Sequence, residues 1–270
     1  MNQVLTIASY SVLEHLRRKL LIFFGGGSVI ITAVLIYLAT SDDAGVIFGG
    51  GSNVAAFASL GILGTFTLLA ALAVSMGNIG QPFSDGQASM ILARPVGRTQ
   101  YAMGRLLGST VVVTGLCLLL AVETQVVAWV DGSTDSGLLW SHWATQTFNT
   151  WLMVAATTLF SVFISTPVLA AVAGFFFNQV VGGSLALFKL VEAGLISGFL
   201  ASSIKLVWYV TPKFLSSALV SKQMEGLPSR QGGSAPNMFT ENSPLFVAWA
   251  TAWLIGLVLL VAWTTRRKQL

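Results

Sequence analysis

Long runs of apolar residues, separated by short polar or glycine-rich connections, set the pattern of this chain. The runs cover about Leu20–Ala39, Val54–Met76, Leu106–Val130, Phe148–Ser165 and Val168–Phe188. A sixth begins at Ser243-Pro244, a cap followed by a first-turn proline, and continues to about Trp263. Each approaches the roughly 20 residues that a helix needs to cross a hydrocarbon core about 30 Å thick. Backbone polar groups in lipid must be satisfied within the segment, so such runs are helices. A β-barrel would instead show alternating segments of about 10 residues, and none of the long runs alternates. The pattern predicts an all-α polytopic membrane bundle: six transmembrane helices in one domain spanning residues 1–270, preceded by an amphipathic interfacial helix over residues 2–19. Within it, Gly25-Gly26-Gly27 either kinks the first span or lets a neighbour approach closely. Ser165-Thr166-Pro167 predicts a tight turn, because proline disfavours helical geometry in the residue before it.

The leading helix rests on Leu5, Ala8, Val12, Leu13, Leu16 and Leu20, which recur at helical spacing, with Ser11, Glu14, His15 and Arg18 elsewhere on the wheel. Arg17-Arg18-Lys19 then stands directly before the first long run, as expected of a helix lying on a membrane face. The alternative is a cleaved signal peptide ending near Ala39-Thr40-Ser41, whose apolar stretch is long for that purpose. Residues 189–242 are harder to place. Leu190–Val210 is apolar enough to count as a seventh span, yet carries Glu192 and Lys205. A seventh crossing would put the basic tail on the opposite side, so this region is expected to dip into the outer leaflet without crossing. From Gln223 to Ser243 the chain is rich in Gly, Pro and Ser and reads as an exposed loop.

Charge then orients the bundle. Only 9% of residues are charged, against about 25% in an ordinary soluble domain, and the mean hydropathy is +0.79. Arg17, Arg18 and Lys19; Arg94, Arg98 and Arg105; and Arg266, Arg267 and Lys268 all fall on one side of a six-span arrangement. The connections at 40–53 and 131–147 carry Asp42, Asp43, Asp131 and Asp135 but no Lys or Arg. The positive-inside rule therefore places both termini in the cytoplasm. Trp129, Trp140, Trp143, Trp249 and Trp263 lie near span ends, as in an interfacial aromatic belt. The basic residues flank apolar runs, so they anchor helices and do not predict nucleic-acid binding. Cys117, the sole cysteine, can form no intrachain disulfide and reads as a small buried hydrophobe.

The connection between the second and third spans (77–105) carries the most information. It reads Gly77-Asn78-Ile79-Gly80-Gln81-Pro82-Phe83-Ser84-Asp85-Gly86, then Gln87-Ala88-Ser89-Met90-Ile91-Leu92-Ala93-Arg94-Pro95-Val96-Gly97-Arg98, with Gly104-Arg105-Leu106-Leu107-Gly108 beyond. A short helix over about Phe83 to Ala93, stopped by Pro95, would carry Asp85, Arg94 and Arg98 at the membrane–cytoplasm boundary. This segment resembles the coupling segment of the ABC-2-type permease family, particularly its small six-span bacterial members. Gly86, Leu92, Pro95 and Arg98 fit the family pattern, and Gly104 to Gly108 look like its approach to the third span. Pro82 replaces the family's usual Glu and Gln87 its usual Thr, leaving Asp85 as the available acid. The leading helix, with Glu14, Arg17 and Lys19, is similar to the family's connecting helix. Trp208-Tyr209-Val210-Thr211-Pro212 resembles the apolar-then-Pro stretch after the fifth span. The resemblance covers essentially the whole chain.

What it implies is a permease subunit of an ATP-driven exporter in a bacterial inner membrane. Two copies of an ABC ATPase would dock on Asp85, Gly86, Leu92, Arg94, Pro95, Arg98, Glu14 and Arg17. A second permease copy, membrane lipids and accessory periplasmic or membrane subunits are the other expected partners. The chain has no phosphate-cradling loop, no metal-spaced Cys/His cluster and no hydrolase motif, so no cofactor and no catalysis of its own are expected, ATP and Mg²⁺ being bound by the partner. His15 and His142 are expected to be solvated or interfacial. Glu123 stands about seven residues, or roughly 10 Å, inside the third span and should face the bundle, a cavity or another subunit. Glu123, Gln125 and Asn178 could line a substrate route, or Glu123 and Asn178 could bond neighbouring helices. Gly104-x3-Gly108 and Gly194-x3-Gly198 have the spacing of close helix packing. Two readings outside the family stay open: a secondary transporter, for which only Glu123 is a candidate coupling group and no repeat is seen, and a non-transporting ABC-associated assembly factor.

Overall fold

A computed structural model of the chain describes residues 2–17, 19–40, 54–86, 96–130, 132, 136–192, 194–212, 214–215 and 244–267. All regular structure among them is helical: α1 (Asn2–Arg17), α2 (Lys19–Thr40), α3 (Val54–Ser75), α4 (Gly80–Ser84), α5 (Arg98–Val130), α6 (Ser136–Phe163), α7 (Pro167–Glu192), α8 (Phe199–Val210) and α9 (Pro244–Arg267). Five segments are long and apolar enough to cross a membrane: Leu21–Thr40, Ser59–Ser84, Arg98–Val130, Pro167–Ser184 and Val247–Arg267. The protein is therefore a helical membrane protein. The expected span over 148–165 is not among these five. It belongs to α6, whose first half carries Ser141, His142, Thr145, Gln146 and Asn149 among its apolar residues. Nevertheless α6 sits in the middle of the bundle, against α3, α5, α7 and α9. Its five successive residues Leu152, Met153, Val154, Ala155 and Ala156 are all at most 2% exposed. Burial around a full turn means that helices surround this one on every side.

The second hub is α5, which touches α1, α2, α3, α6 and α9. Its 33 residues begin at Arg98, two turns before the expected start near Leu106. By contrast α2, α7 and α9 lie at the periphery and present Ile22, Ile30, Phe176 and Leu259 outward. At one end of the bundle, hereafter the elbow end, Ile79, Ala102, Val162 and Val261 pack together from four different segments.

Three local expectations are corrected. The helix placed over Phe83–Ala93 does not run through Asp85 and Gly86: α4 ends at Ser84, and Gly86 takes a positive φ of 72° that side-chain-bearing residues rarely adopt. Residues 87–95 lie outside the described set, and Leu92, Arg94 and Pro95 with them. Next, Gly194-x3-Gly198 does not lie within one helix, and the alternative of a continuous seventh span over Leu190–Val210 falls with it. Gly194 and Gly198, both at φ 72°, break it into the end of α7 and the 12-residue α8, about 18 Å long and too short to cross. The same two glycines face open space, so their spacing is not a helix-packing motif. Finally, the leading helix is turned differently from its wheel. Ala8, Ser11 and His15 are its buried side, whereas Leu5, Leu13 and Leu16 are exposed. Small and polar side chains let α1 lie close against α5, and the leucines stay exposed among the described residues.

Candidate functional site

The elbow is built where α1 crosses the start of α5. Gly104 and Gly108 form the floor of that crossing. A Cβ on Gly104 would stand 2.6 Å from Ile7 Cβ, and one on Gly108 would stand 2.5 Å from Ser11 Cβ. The two helices pack closely because these positions lack side chains, and α1 meets α5 more extensively than any other helix pair meets.

Between the glycines, Arg105 turns inward. Its guanidinium forms an ion pair through Nη1 with Glu14 Oε2 and donates from Nε to the Asn78 carbonyl at 3.1 Å. Arg105 is about as buried as Ser109 one turn on, while Glu14 keeps part of its surface outside. Ser109 donates to Asn78 Oδ1 at 2.9 Å and lies 3.3 Å from His15 Nε2. Because the single hydroxyl hydrogen is given to Asn78, that contact needs His15 to donate from Nε2. Asn78 in turn donates from Nδ2 to Thr158 Oγ1 at 3.1 Å. One network thus joins α1 (Glu14, His15), the 76–79 bend (Asn78), α5 (Arg105, Ser109) and α6 (Thr158). His15 is 3% exposed, contrary to the expected solvated or interfacial setting. Beyond the bend, Gly80 approaches the carbonyls of Ser161 and Ile164 so closely that no side chain fits there. Phe83 meets Tyr101 edge-on, ring centres 6.1 Å apart. The short α4 is therefore fastened to both α5 and α6.

The residues singled out for coupling divide accordingly. Asp85, after α4, and Arg17, at the end of α1, are exposed, and Arg98 is half-buried at the start of α5. Glu14 faces Arg105, and Gly86 forms the turn that ends α4. Leu92, Arg94 and Pro95 are outside the described residues.

The residues singled out for a substrate route are not brought together. Glu123 is buried against α2, accepting from Ser28 at 3.0 Å and Thr32 at 3.1 Å. Gln125 is buried with neither end of its amide hydrogen-bonded among the described residues. Asn178 lies elsewhere, on a cleft of about 220 Å³ between α3, α6 and α7 that neither Glu123 nor Gln125 lines. Gln146 and Asn149 of α6 border it. Gln146 donates to Thr67 at 2.9 Å. Asn149 holds the chain after α8 by both ends of its amide, with Nδ2 donating to the Leu215 carbonyl at 2.9 Å and Oδ1 accepting from the Leu215 N–H at 2.8 Å. Its neighbour Phe214 closes one side of the cleft. The other histidine, His142, is half-buried beside Trp143, the two rings 5.9 Å apart and edge-on.

Asn78, Ser109, Gln146 and Asn149 escaped the sequence reading. The signal for the elbow was present as two polar pairs, Glu14-His15 on one helix and Arg105-Ser109 on another, which match in charge and hydrogen-bonding capacity. Asn149 gave no comparable signal, since its partner is a backbone segment 66 residues away. No model of a known protein family matches this chain, and no curated protein sequence matches it either.

Proposed function

We propose that this chain is the transmembrane permease subunit of an ATP-driven exporter whose motor is a separate polypeptide. On this reading α6 is the sixth crossing and α1 lies at the cytoplasmic face of an inner membrane, with both termini inside. The observation that supports it is the elbow. A motor acting from outside the bundle needs a stiff point of attachment, and α4, the bend, α1 and the start of α5 are locked together by the Glu14–Arg105–Asn78–Ser109 network. Asp85, Arg17 and Arg98 stand around that corner as charged contacts. A push there would reach α5 directly and α6 through Thr158 and Gly80, tilting the two central helices together. Two bundle states with different affinity for the motor's nucleotide-bound form would give alternating exposure of a solute path. No covalent chemistry is assigned to this subunit.

Tagged protein solubilised from native membranes should bring down a nucleotide-hydrolysing partner, and Asp85→Ala or Arg98→Ala should weaken that recovery. Equal recovery with both variants would remove these residues from the docking surface. Labelling of Gly86→Cys from the external side only would overturn the orientation and the reading with it.

A further inference from the structure

The cleft bordered by Thr65, Gln146, Asn178 and Phe214 has an unusual hydrogen-bonding balance. Among the described residues, none that lines it is ionisable. Burying a charge there would leave it without a countercharge, which is costly in a low-dielectric bundle. The donors of the wall are largely committed within the protein. Thr65 gives its hydroxyl hydrogen to the Gly61 carbonyl at 2.9 Å. Gln146 Nε2 serves Thr67 Oγ1 and the Gly64 carbonyl. Asn178 Nδ2 reaches Gln179 Oε1 at 3.4 Å. Left over are chiefly acceptors, Thr65 Oγ1, Gln146 Oε1 and Asn178 Oδ1, which receive no hydrogen bond among the described residues, beside one amide hydrogen each on Asn149 and Asn178. An acceptor-rich, uncharged wall with one aromatic face complements a group that brings its own donors. Its volume of about 220 Å³ falls below the roughly 300–1,000 Å³ of sites for drug-sized ligands, so it suits one ring-sized group.

We propose that this cleft binds a single uncharged, donor-bearing group, a hydroxylated or amide-bearing ring, with Phe214 as its apolar wall and Asn149 as the latch that holds Phe214 in place. Groups that offer only acceptors, such as phosphate diesters, meet mostly acceptor oxygens and bring a charge that no described lining residue balances. Quaternary ammonium groups bring charge but no donor and are equally mismatched. The inference deepens the transport reading by naming the chemistry of the solute-facing wall, yet binding here requires no motor. A free polyol and a neutral lipid headgroup share the required chemistry.

The test uses the full chain in nanodiscs of phosphatidylcholine, free of sugar detergents. Binding is measured by equilibrium retention of radiolabelled glucose, and separately of a monoglucosyl diacylglycerol doped into the disc, with inorganic phosphate and choline as comparison probes. Saturable retention of glucose identifies a free solute, and retention of the glycolipid alone identifies a headgroup; either supports the site. Thr65→Val, isosteric and on an exposed position, and Asn178→Leu should each weaken that retention by about tenfold, the loss of one good hydrogen bond. Should Asn178→Leu fail to fold, Thr65→Val alone decides. Retention of neither neutral probe, retention of phosphate or choline equal to theirs, or retention unchanged in Thr65→Val overturns the proposal. Motor recovery by tagged protein is scored in parallel: lost binding with retained motor sinks only this site, and the reverse sinks only the coupling.

Discussion

Replacing Gly104 and Gly108 by alanine tests the elbow most directly, because the same helix supplies its own control. An added Cβ would lie 2.6 Å from Ile7 Cβ at Gly104 and 2.5 Å from Ser11 Cβ at Gly108, with the Val4 and Ala8 carbonyls at 3.0 and 2.9 Å. Carbon atoms in contact prefer about 3.5–4.0 Å. The opposing atoms include Cβ and backbone atoms fixed to the helix axis, so no rotamer change relieves the clash in full. Instead α1 must retreat by about 1 Å. That alone takes the 3.3 Å Ser109–His15 contact out of hydrogen-bonding range. Overpacking of this kind costs about 1–3 kcal/mol per site, and the gain in helix propensity from Gly to Ala returns up to about 1 kcal/mol. Over the two sites the double variant should therefore lose about 2–6 kcal/mol to overpacking and regain at most about 2 from propensity.

Gly115 lies on the same helix with nothing within 4 Å of a built Cβ. Gly115→Ala should have the opposite sign, neutral or stabilising by up to about 1 kcal/mol. The assay is reversible unfolding in mixed micelles, combined with the distance between spin labels on Tyr10→Cys of α1 and Val111→Cys of α5, both outward-facing positions. The native Cys117 is buried and does not compete for label. The elbow as described requires the label distance to grow in Gly104→Ala/Gly108→Ala and to stay put in Gly115→Ala. A double variant as stable as Gly115→Ala, with α1 unmoved, would refute the close crossing.

Four further outcomes follow from single contacts. Glu14→Gln strands the buried Arg105 charge and should cost about 1–3 kcal/mol, less than the roughly 3–5 for a fully buried pair, because Glu14 is 39% exposed; adding Arg105→Gln should recover part of the loss, and additivity in the double-mutant cycle would deny their coupling. Ser11 is buried with no hydrogen-bond partner among the described residues, so Ser11→Ala should be neutral or raise stability by up to about 1 kcal/mol, checked by the same unfolding assay. Asn149→Ala removes both bonds to Leu215; a loss of about 1–3 kcal/mol, with faster amide exchange at Leu215, is expected, and unchanged exchange would show that the latch holds nothing. Glu123→Gln keeps an acceptor oxygen for one of Ser28 and Thr32 and can donate from its NH2 to the other hydroxyl, so it should unfold within about 1 kcal/mol of the parent, whereas Glu123→Leu loses both bonds and should fall further.

The apolar runs were legible because a lipid-facing helix must be apolar along its whole length, which leaves a signal as long as the helix itself. The helices α2, α3, α7 and α9 accordingly lie where the runs do, to within a few residues. The orientation of α1 was not legible, for a physical reason. Hydrophobic periodicity marks the core side of a helix only where the opposite side faces water. Where both sides of a helix can meet apolar surroundings, the buried side is chosen by fit, and Ala8, Ser11 and His15 fit the glycines of α5 better than leucines would. Close packing itself left a trace in Gly104-x3-Gly108. The same spacing at Gly194 and Gly198 served two chain reversals, since a glycine's missing side chain and its freedom at positive φ look alike in a sequence. The polar first half of α6 hid the helix's length, so that 136–147 read as a connection, because buried hydroxyls and amides bond to neighbouring helices and need not be apolar.

The two polar regions sit at separate levels of one rod. Asn149, beside the cleft, and Thr158, in the elbow network, are nine residues apart on α6, about 14 Å along its axis. Between them Leu152 to Ala156 are enclosed on all sides. Close-packed interiors compress little, so this stretch cannot absorb a displacement at Thr158 by local rearrangement. The helix must tilt or slide as a unit, and either motion shifts Gln146 and Asn149 relative to Thr65 on α3 and Asn178 on α7. Under the proposed function, a motor at the elbow therefore changes the cleft's acceptor spacing without touching it. The latch gives that motion a second effect: Asn149 moves with α6, so Phe214 is carried along, and the apolar wall and the acceptors would part together.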